Sequence, residues 1–248
     1  MKKLGIIDWG IGGIGIYKLF KERPQSVSLL YFSDTGVMPY GRMSRQQLAA
    51  RLTAVIGFFK SKGVTHVAIG CNAASTAIPY LNIRGLQIEG VIETAIKSTA
   101  KLNPERLGLI GGRRTVVSGV YRNGFADRGM SVKQRIAQPL SGLIESGDVS
   151  SGVLRGECER ILSPLKNCSH ILLACTHYPA IINVLKDFVS PETKFIDPAA
   201  GLVDEIYKWG IPAGGDDIFL TSGDPGRMKS AAKAAFGVSL TVIRQIEI

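Results

Sequence analysis

One feature of this 248-residue chain constrains its fold more than any other: a pair of strand-like segments that occurs twice. Thr65-His66-Val67-Ala68-Ile69-Gly70-Cys71 aligns with Ser169-His170-Ile171-Leu172-Leu173-Ala174-Cys175. Leu4-Gly5-Ile6-Ile7 aligns with Leu107-Gly108-Leu109-Ile110 at almost the same offset. Two strands repeated in the same order imply two similar halves. Between these segments, short apolar runs alternate with helix-length amphipathic stretches, as in βα units that build a mainly parallel sheet covered on both faces.

The expected fold is therefore α/β, with two flavodoxin-like, doubly wound halves related by a pseudo-two-fold axis and a site between them. Strands are expected at Leu4–Asp8, Val27–Phe32, Val64–Gly70, Arg106–Ile110, Val132–Ala137, Ser169–Ala174, Thr193–Ile196 and Ile218–Thr221. The first helix should run to about Glu22, stopped by Pro24; Ser44 should cap a long helix to about Lys62, with Gly63 in the stop position. The first domain is expected to comprise residues 1–93 plus about 205–248, including a helix at Pro225–Phe236, and the second residues 94–204.

Composition narrows the functional classes. No apolar run approaches the ~18 residues of a membrane span, and Met1–Ile7 is too short for a signal peptide. Four cysteines, Cys71, Cys158, Cys168 and Cys175, lack disulfide-framework spacing, so free thiols in a reducing cytoplasm are expected. The net charge of +10 comes from scattered bases rather than one patch, and with aromatics at 7% it argues against nucleic acid as a partner.

In a parallel sheet, ligands bind beyond the carboxyl ends of the strands. Cys71 and Cys175 are each expected one residue past such an end, and Asp8 closes the first strand. Either cysteine alone reads as a small buried hydrophobe. Their equivalence in the repeat, with Asn72 after one and Thr176-His177 after the other, points instead to one thiol from each side of a cleft. Opposed thiols suit inversion of a carbon stereocentre: a thiolate removes a proton from one face and a thiol delivers one to the other. Asp8 and His177 stand where they could assist.

Two other motifs compete. Gly10-Ile11-Gly12-Gly13-Ile14-Gly15 follows a strand, and Asp34 ends the next one, which satisfies a dinucleotide-binding pattern. Against it, Asp8 would repel a pyrophosphate and Trp9 adds bulk at the turn. Cys168, His170, Cys175 and His177 imitate a zinc set, but a strand of seven residues separates the two pairs by about 23 Å, so no single metal site is expected. His66 and His170 open strands at the opposite end from the thiols and read as structural.

Asp8-Trp9-Gly10-Ile11-Gly12-Gly13, Pro39-Tyr40-Gly41, Cys71-Asn72-Ala73-Ala74-Ser75 and Cys175-Thr176-His177-Tyr178-Pro179 together resemble the glutamate racemase branch of the aspartate/glutamate racemase superfamily, over about residues 4 to 200. The resemblance implies cofactor-independent, two-base racemisation of an acidic amino acid, supplying D-glutamate for bacterial peptidoglycan, in a protein that forms a homodimer. It implies Cys71 for the D face with Asp8 assisting, and Cys175 for the L face with His177 and Glu145. Trp9, Pro39, Tyr40, Gly41, Asn72, Ala73, Thr115 and Thr176 match positions around the substrate. The family pattern has hydroxyl residues where this chain has Trp9, Ala73 and Gly112, so the acid/base set matches while the recognition shell differs. Aspartate is an alternative substrate on this reading, and Arg113 or Arg114 are candidates for a replacement carboxylate contact. Relatives that decarboxylate, or isomerise a cis double bond with a cysteine, give a second enzymatic reading; a dinucleotide-binding protein gives a third.

Overall fold

The computed structural model describes residues 2–23 and 27–248. Pro24, the expected stop of the first helix, lies outside them. Ten strands are described: β1 (Leu4–Asp8), β2 (Leu29–Ser33), β3 (His66–Ile69), β4 (Gln87–Gly90), β5 (Leu107–Gly111), β6 (Val132–Ile136), β7 (His170–Ala174), β8 (Lys194–Ile196), β9 (Ile218–Thr221) and β10 (Ile243–Gln245). They form two parallel sheets, in the orders β10-β9-β2-β1-β3-β4 and β6-β5-β7-β8. Eleven α-helices are described with them: α1 (Gly12–Lys21), α2 (Arg45–Ser61), α3 (Asn72–Ser75), α4 (Val91–Lys101), α5 (Arg113–Val117), α6 (Val120–Ala126), α7 (Gln138–Glu145), α8 (Gly152–Leu162), α9 (Ile182–Lys186), α10 (Pro198–Tyr207) and α11 (Pro225–Phe236).

The sequence repeat reappears as a repeat of hydrogen-bonding register. Leu4 pairs with His66 across β1 and β3, and Leu107 pairs with His170 across β5 and β7. The order β2-β1-β3-β4 in one sheet has its counterpart in β6-β5-β7-β8. β1 and β5 are buried at every position, as central strands covered on both faces must be.

Local chemistry explains the best-defined ends. Ser44 caps α2, accepting from the Gln47 N–H while the Gln47 side chain accepts from the Ser44 N–H; this capping box fixes where the helix begins. Gly63 follows its C-cap at φ +76°, a conformation that costs glycine little. The first helix extends as expected, with Glu22 as its C-cap.

Several boundaries differ from the sequence reading. Val27 makes only an isolated bridge to Gly214, and the β2 ladder begins at Leu29. β4 and β10 were not anticipated. β4 is Gln-Ile-Glu-Gly at a sheet edge, half-exposed and without an apolar run; β10 has three residues. β9 joins the first sheet beside β2, with Leu30 opposite Ile218.

The hydrophobic interior has two parts. One packs α2 against the first sheet, with Phe32, Leu52, Phe59 and Ile69. The other runs without interruption from Ile6, Ile11 and Phe20 to Leu109, Leu172 and Leu202, and so joins the halves. α10 packs against both α4 and α1 as part of that junction. The carboxyl ends of the central strands thereby face a common cleft.

Candidate active site

Asp8 ends β1, Cys71 is the N-cap residue of α3 just past β3, and Cys175 directly follows β7. All three line one cavity of about 410 Å³, to which α5 and α7 contribute residues from the second half. The two thiols that correspond in the repeat therefore face one space. Both cysteines are half-buried and reachable from the cavity.

Cys175 begins a hydrogen-bonded chain. Its Sγ lies 3.7 Å from His177 Nδ1, and His177 Nε2 lies 2.6 Å from Glu145 Oε2. Burial alone would pull the His177 pKa down, but hydrogen bonds to Cys175 and Glu145, and their negative charges, hold it well above the ordinary histidine value. Glu145 does not line the cavity; it supports His177 from behind and accepts a second bond from the Ile11 N–H at 2.9 Å. That N–H belongs to the start of α1, where a carboxylate is favoured.

Cys71 has a different environment. Burial pushes its thiol well above the usual range and the nearby Asp8 carboxylate adds to this; backbone N–H groups of Ala74 and Ala73 pull the other way. Asp8 is fully buried. Its Oδ2 accepts from Thr176 Oγ1 at 2.8 Å and its Oδ1 from the Trp9 N–H at 2.7 Å. Burial raises its pKa, opposed by the positive charge of His177 and by those two bonds. The hydrogen bonds of Asp8 thus go to Thr176 and Trp9, and its effect on Cys71 is one of charge, raising the thiol pKa.

The glycine motif has a different purpose from the dinucleotide one. A Cβ on Gly10 would sit 2.0 Å from Glu145 Oε2, and one on Gly12 would sit 2.3 Å from Thr176 Oγ1 and 2.8 Å from His177 Nδ1. The space a pyrophosphate would need is filled by side chains of the opposite half. Asp34, the acidic partner in that reading, instead accepts from Tyr40 Oη at 2.6 Å, from Arg51 Nη2 at 2.6 Å and Nε at 2.8 Å, and from Ser222 Oγ at 2.7 Å. The dinucleotide reading is corrected accordingly. Among the described residues, no cluster of three His, Cys, Asp or Glu side chains is placed to hold a metal ion.

Around the thiols, Trp9, Pro39, Tyr40, Gly41, Asn72, Ala73, Thr115 and Thr176 all line the cavity. Trp9 donates from Nε1 to the Val37 carbonyl at 3.1 Å, which fixes the indole on the loop side. Asn72 Oδ1 accepts from Tyr121 Oη at 2.7 Å, leaving its buried Nδ2 without a partner among the described residues. A Cβ on Gly112 would come within 3.2 Å of Gln138 Oε1, so that side-chain end would have to shift slightly to admit one. Arg113 is exposed, whereas Arg114 is half-buried and lines the cavity. Gln138, Ser141 and Arg42 also line it and were missed. Gln138 begins just past the carboxyl end of β6, so the strand-end rule that selected the cysteines would have found it.

Comparison with known proteins adds the family. The model for the Asp/Glu/Hydantoin racemase family matches residues 15–206. The chain belongs to that family. It is an isomerase of the racemase type, as the sequence resemblance implied. A glutamate racemase of Aquifex pyrophilus is 30% identical over 204 residues, 81% of this chain and 80% of that protein. One from Stutzerimonas stutzeri is 30% identical over 257 aligned positions, 96% of each chain. The fold is that of the glutamate racemase isoform RacE1 of Bacillus anthracis, with a TM-score of 0.89 at 20% identity over 100% of this chain and 98% of that one. Among the described residues no helix is long and apolar enough to cross a membrane.

Proposed function

We propose that this racemase interconverts L- and D-glutamate by two-base proton transfer between Cys71 and Cys175, with aspartate as a weaker substrate. The observation that carries this reading is the pair of thiols, from equivalent strand ends, lining one cavity. An amino acid seated with its α-carbon between them loses its α-proton to one thiolate. The electron pair of the broken C–H bond delocalises into the α-carboxylate. The opposite thiol then gives its proton to the other face of the carbon and is left as thiolate, ready for the reverse reaction.

The two thiols work in unlike surroundings. A protonated His177, held by Glu145, places positive charge beside Cys175. Cys71 is held toward its neutral thiol by burial and by Asp8. In the L-to-D direction Cys175 acts as base on the L face and Cys71 as acid on the D face. D-glutamate made in this way would serve bacterial peptidoglycan, the use implied by the family resemblance.

Incubation with L-glutamate, read by chiral chromatography, should yield D-glutamate. Cys71→Ser and Cys175→Ser should each reduce racemisation roughly 100- to 10,000-fold, since a hydroxyl is a far poorer base than a thiolate. No racemisation of glutamate or aspartate by the unaltered protein, or variants as fast as it, would overturn the reading.

A further inference from the structure

We propose that Arg114 is the charge partner of a substrate carboxylate and thereby sets the preference of this cavity for anionic ligands. The inference rests on the proposed function for the identity of the substrate and on the geometry below for the site.

Arg114 stands on α5 in the second half but reaches across the cleft. Its Nε donates to Thr76 Oγ1 at 2.9 Å and its Nη1 to the Met43 carbonyl at 2.6 Å, both in the first half. A guanidinium carries five N–H donors in a rigid fork. Two are fixed to the protein, so the group is oriented while three donors stay available.

No carboxylate of the described residues pairs with it. Arg51, at a comparable depth, is held by Asp34. Around Arg114 the charged and titratable neighbours are Arg45, whose positive charge opposes its own, and Cys71, whose thiolate would favour it; Arg42 lines the same cavity. Removing a cation from water without a counter-ion is costly, and burial does pull the Arg114 pKa below its usual value. An anion in the cavity offsets that cost.

Several other donors of the cavity are already committed. The Tyr40 hydroxyl donates to Asp34, and the Thr176 hydroxyl donates to Asp8. Trp9 Nε1 donates to Val37. Among the donors that remain are the Nδ2 of Asn72, unpartnered among the described residues, the Thr115 hydroxyl, the exposed Arg42 and the fork of Arg114; Arg114 is the one that combines positive charge with a half-buried, braced position. Ala73 and Gly112 offer no side-chain donor along that wall, and Arg114 lines it with them.

The test compares binding of glutarate with that of its diamide, glutaramide, by titration calorimetry on the full chain. The unaltered protein should bind glutarate more tightly. Arg114→Met should weaken glutarate binding roughly 10- to 100-fold, the range of a lost charged hydrogen bond or two, and leave glutaramide nearly unchanged. Arg114→Lys, which keeps the charge without the fork, should fall between them. Thr76→Val removes one brace of Arg114 without its charge and should preserve the preference, which separates anion binding from bracing. Arg113→Gln, at an exposed neighbour, should match the unaltered protein. In racemisation assays Arg114→Met should raise KM for glutamate far more than it lowers kcat. A parallel loss for glutamine assigns the contact to the α-carboxylate, and a loss for glutamate alone assigns it to the side-chain carboxylate.

Failure of the unaltered protein to prefer glutarate, or retention of that preference in Arg114→Met, overturns the proposal. Because glutarate has no stereocentre, this outcome is independent of racemisation. A protein that prefers glutarate yet racemises nothing would keep the Arg114 contact and lose the proposed function.

Discussion

His177 stands between a thiol and a carboxylate, within hydrogen-bond reach of both. The chain has three histidines, so each can be followed separately by NMR. His66 and His170 should titrate below the ordinary range, because burial and the nearby Lys2 and Lys194 respectively oppose their charge. His177 should titrate well above it. Glu145→Gln removes a negative partner and should move the His177 titration to lower pH. The same shift governs stability. A histidine whose folded-state pKa is raised stabilises the fold fully below the unfolded-state value near 6.5, and that contribution disappears as pH rises through the folded-state value. Urea midpoints should therefore fall over that alkaline window in the unaltered protein and fall less in Glu145→Gln. A His177 titration at or below that of His66 would contradict this description of the hydrogen-bonded chain.

At the scale of elements, the junction of β1 and α1 is the clearest case of sequence serving an opposing surface. Gly10 and Gly12 lie at a turn that any small residue could make, yet both face side chains of the second half at distances no Cβ tolerates. Gly10→Ala should displace the Glu145 carboxylate, destabilise the fold by about 1–3 kcal/mol, and slow racemisation. Urea denaturation and kcat/KM, which is equal for the two enantiomers because their equilibrium constant is one, check this, and a variant as stable and as fast as the unaltered protein would contradict it. These glycines also show how far sequence could be read. Their pattern matched a phosphate loop because the same freedom from side chains admits a phosphate or a neighbouring carboxylate, and only tertiary packing decides which. Buried central strands were legible because apolar β-branched runs report burial on both faces. The edge strand β4 was not, since half-exposed residues such as Gln87 and Glu89 carry no such signal. The direction of Arg114 was equally hidden: two adjacent arginines look alike until α5 turns one to solvent and the other into the cleft.

At the scale of the whole molecule, the repeated register of β1–β3 and β5–β7 places one thiol from each half on a common cavity. The halves share a continuous core, and side chains cross between them at Thr176–Asp8, Glu145–Ile11 and Arg114–Thr76. These bonds tie the cleft closed at the points where the chemistry is proposed, so each half completes the other. Two separate proton carriers have an isotopic consequence that one carrier does not. The decisive measurement is racemisation of L-glutamate in deuterated water, with product and residual substrate analysed at the earliest turnovers. Transfer between Cys71 and Cys175 predicts deuterium at the α-carbon of the D-product, delivered by a solvent-exchanged thiol, and hydrogen in the residual L-glutamate. Substrate hydrogen retained in the D-product, returned by a single group that serves both faces, would contradict it.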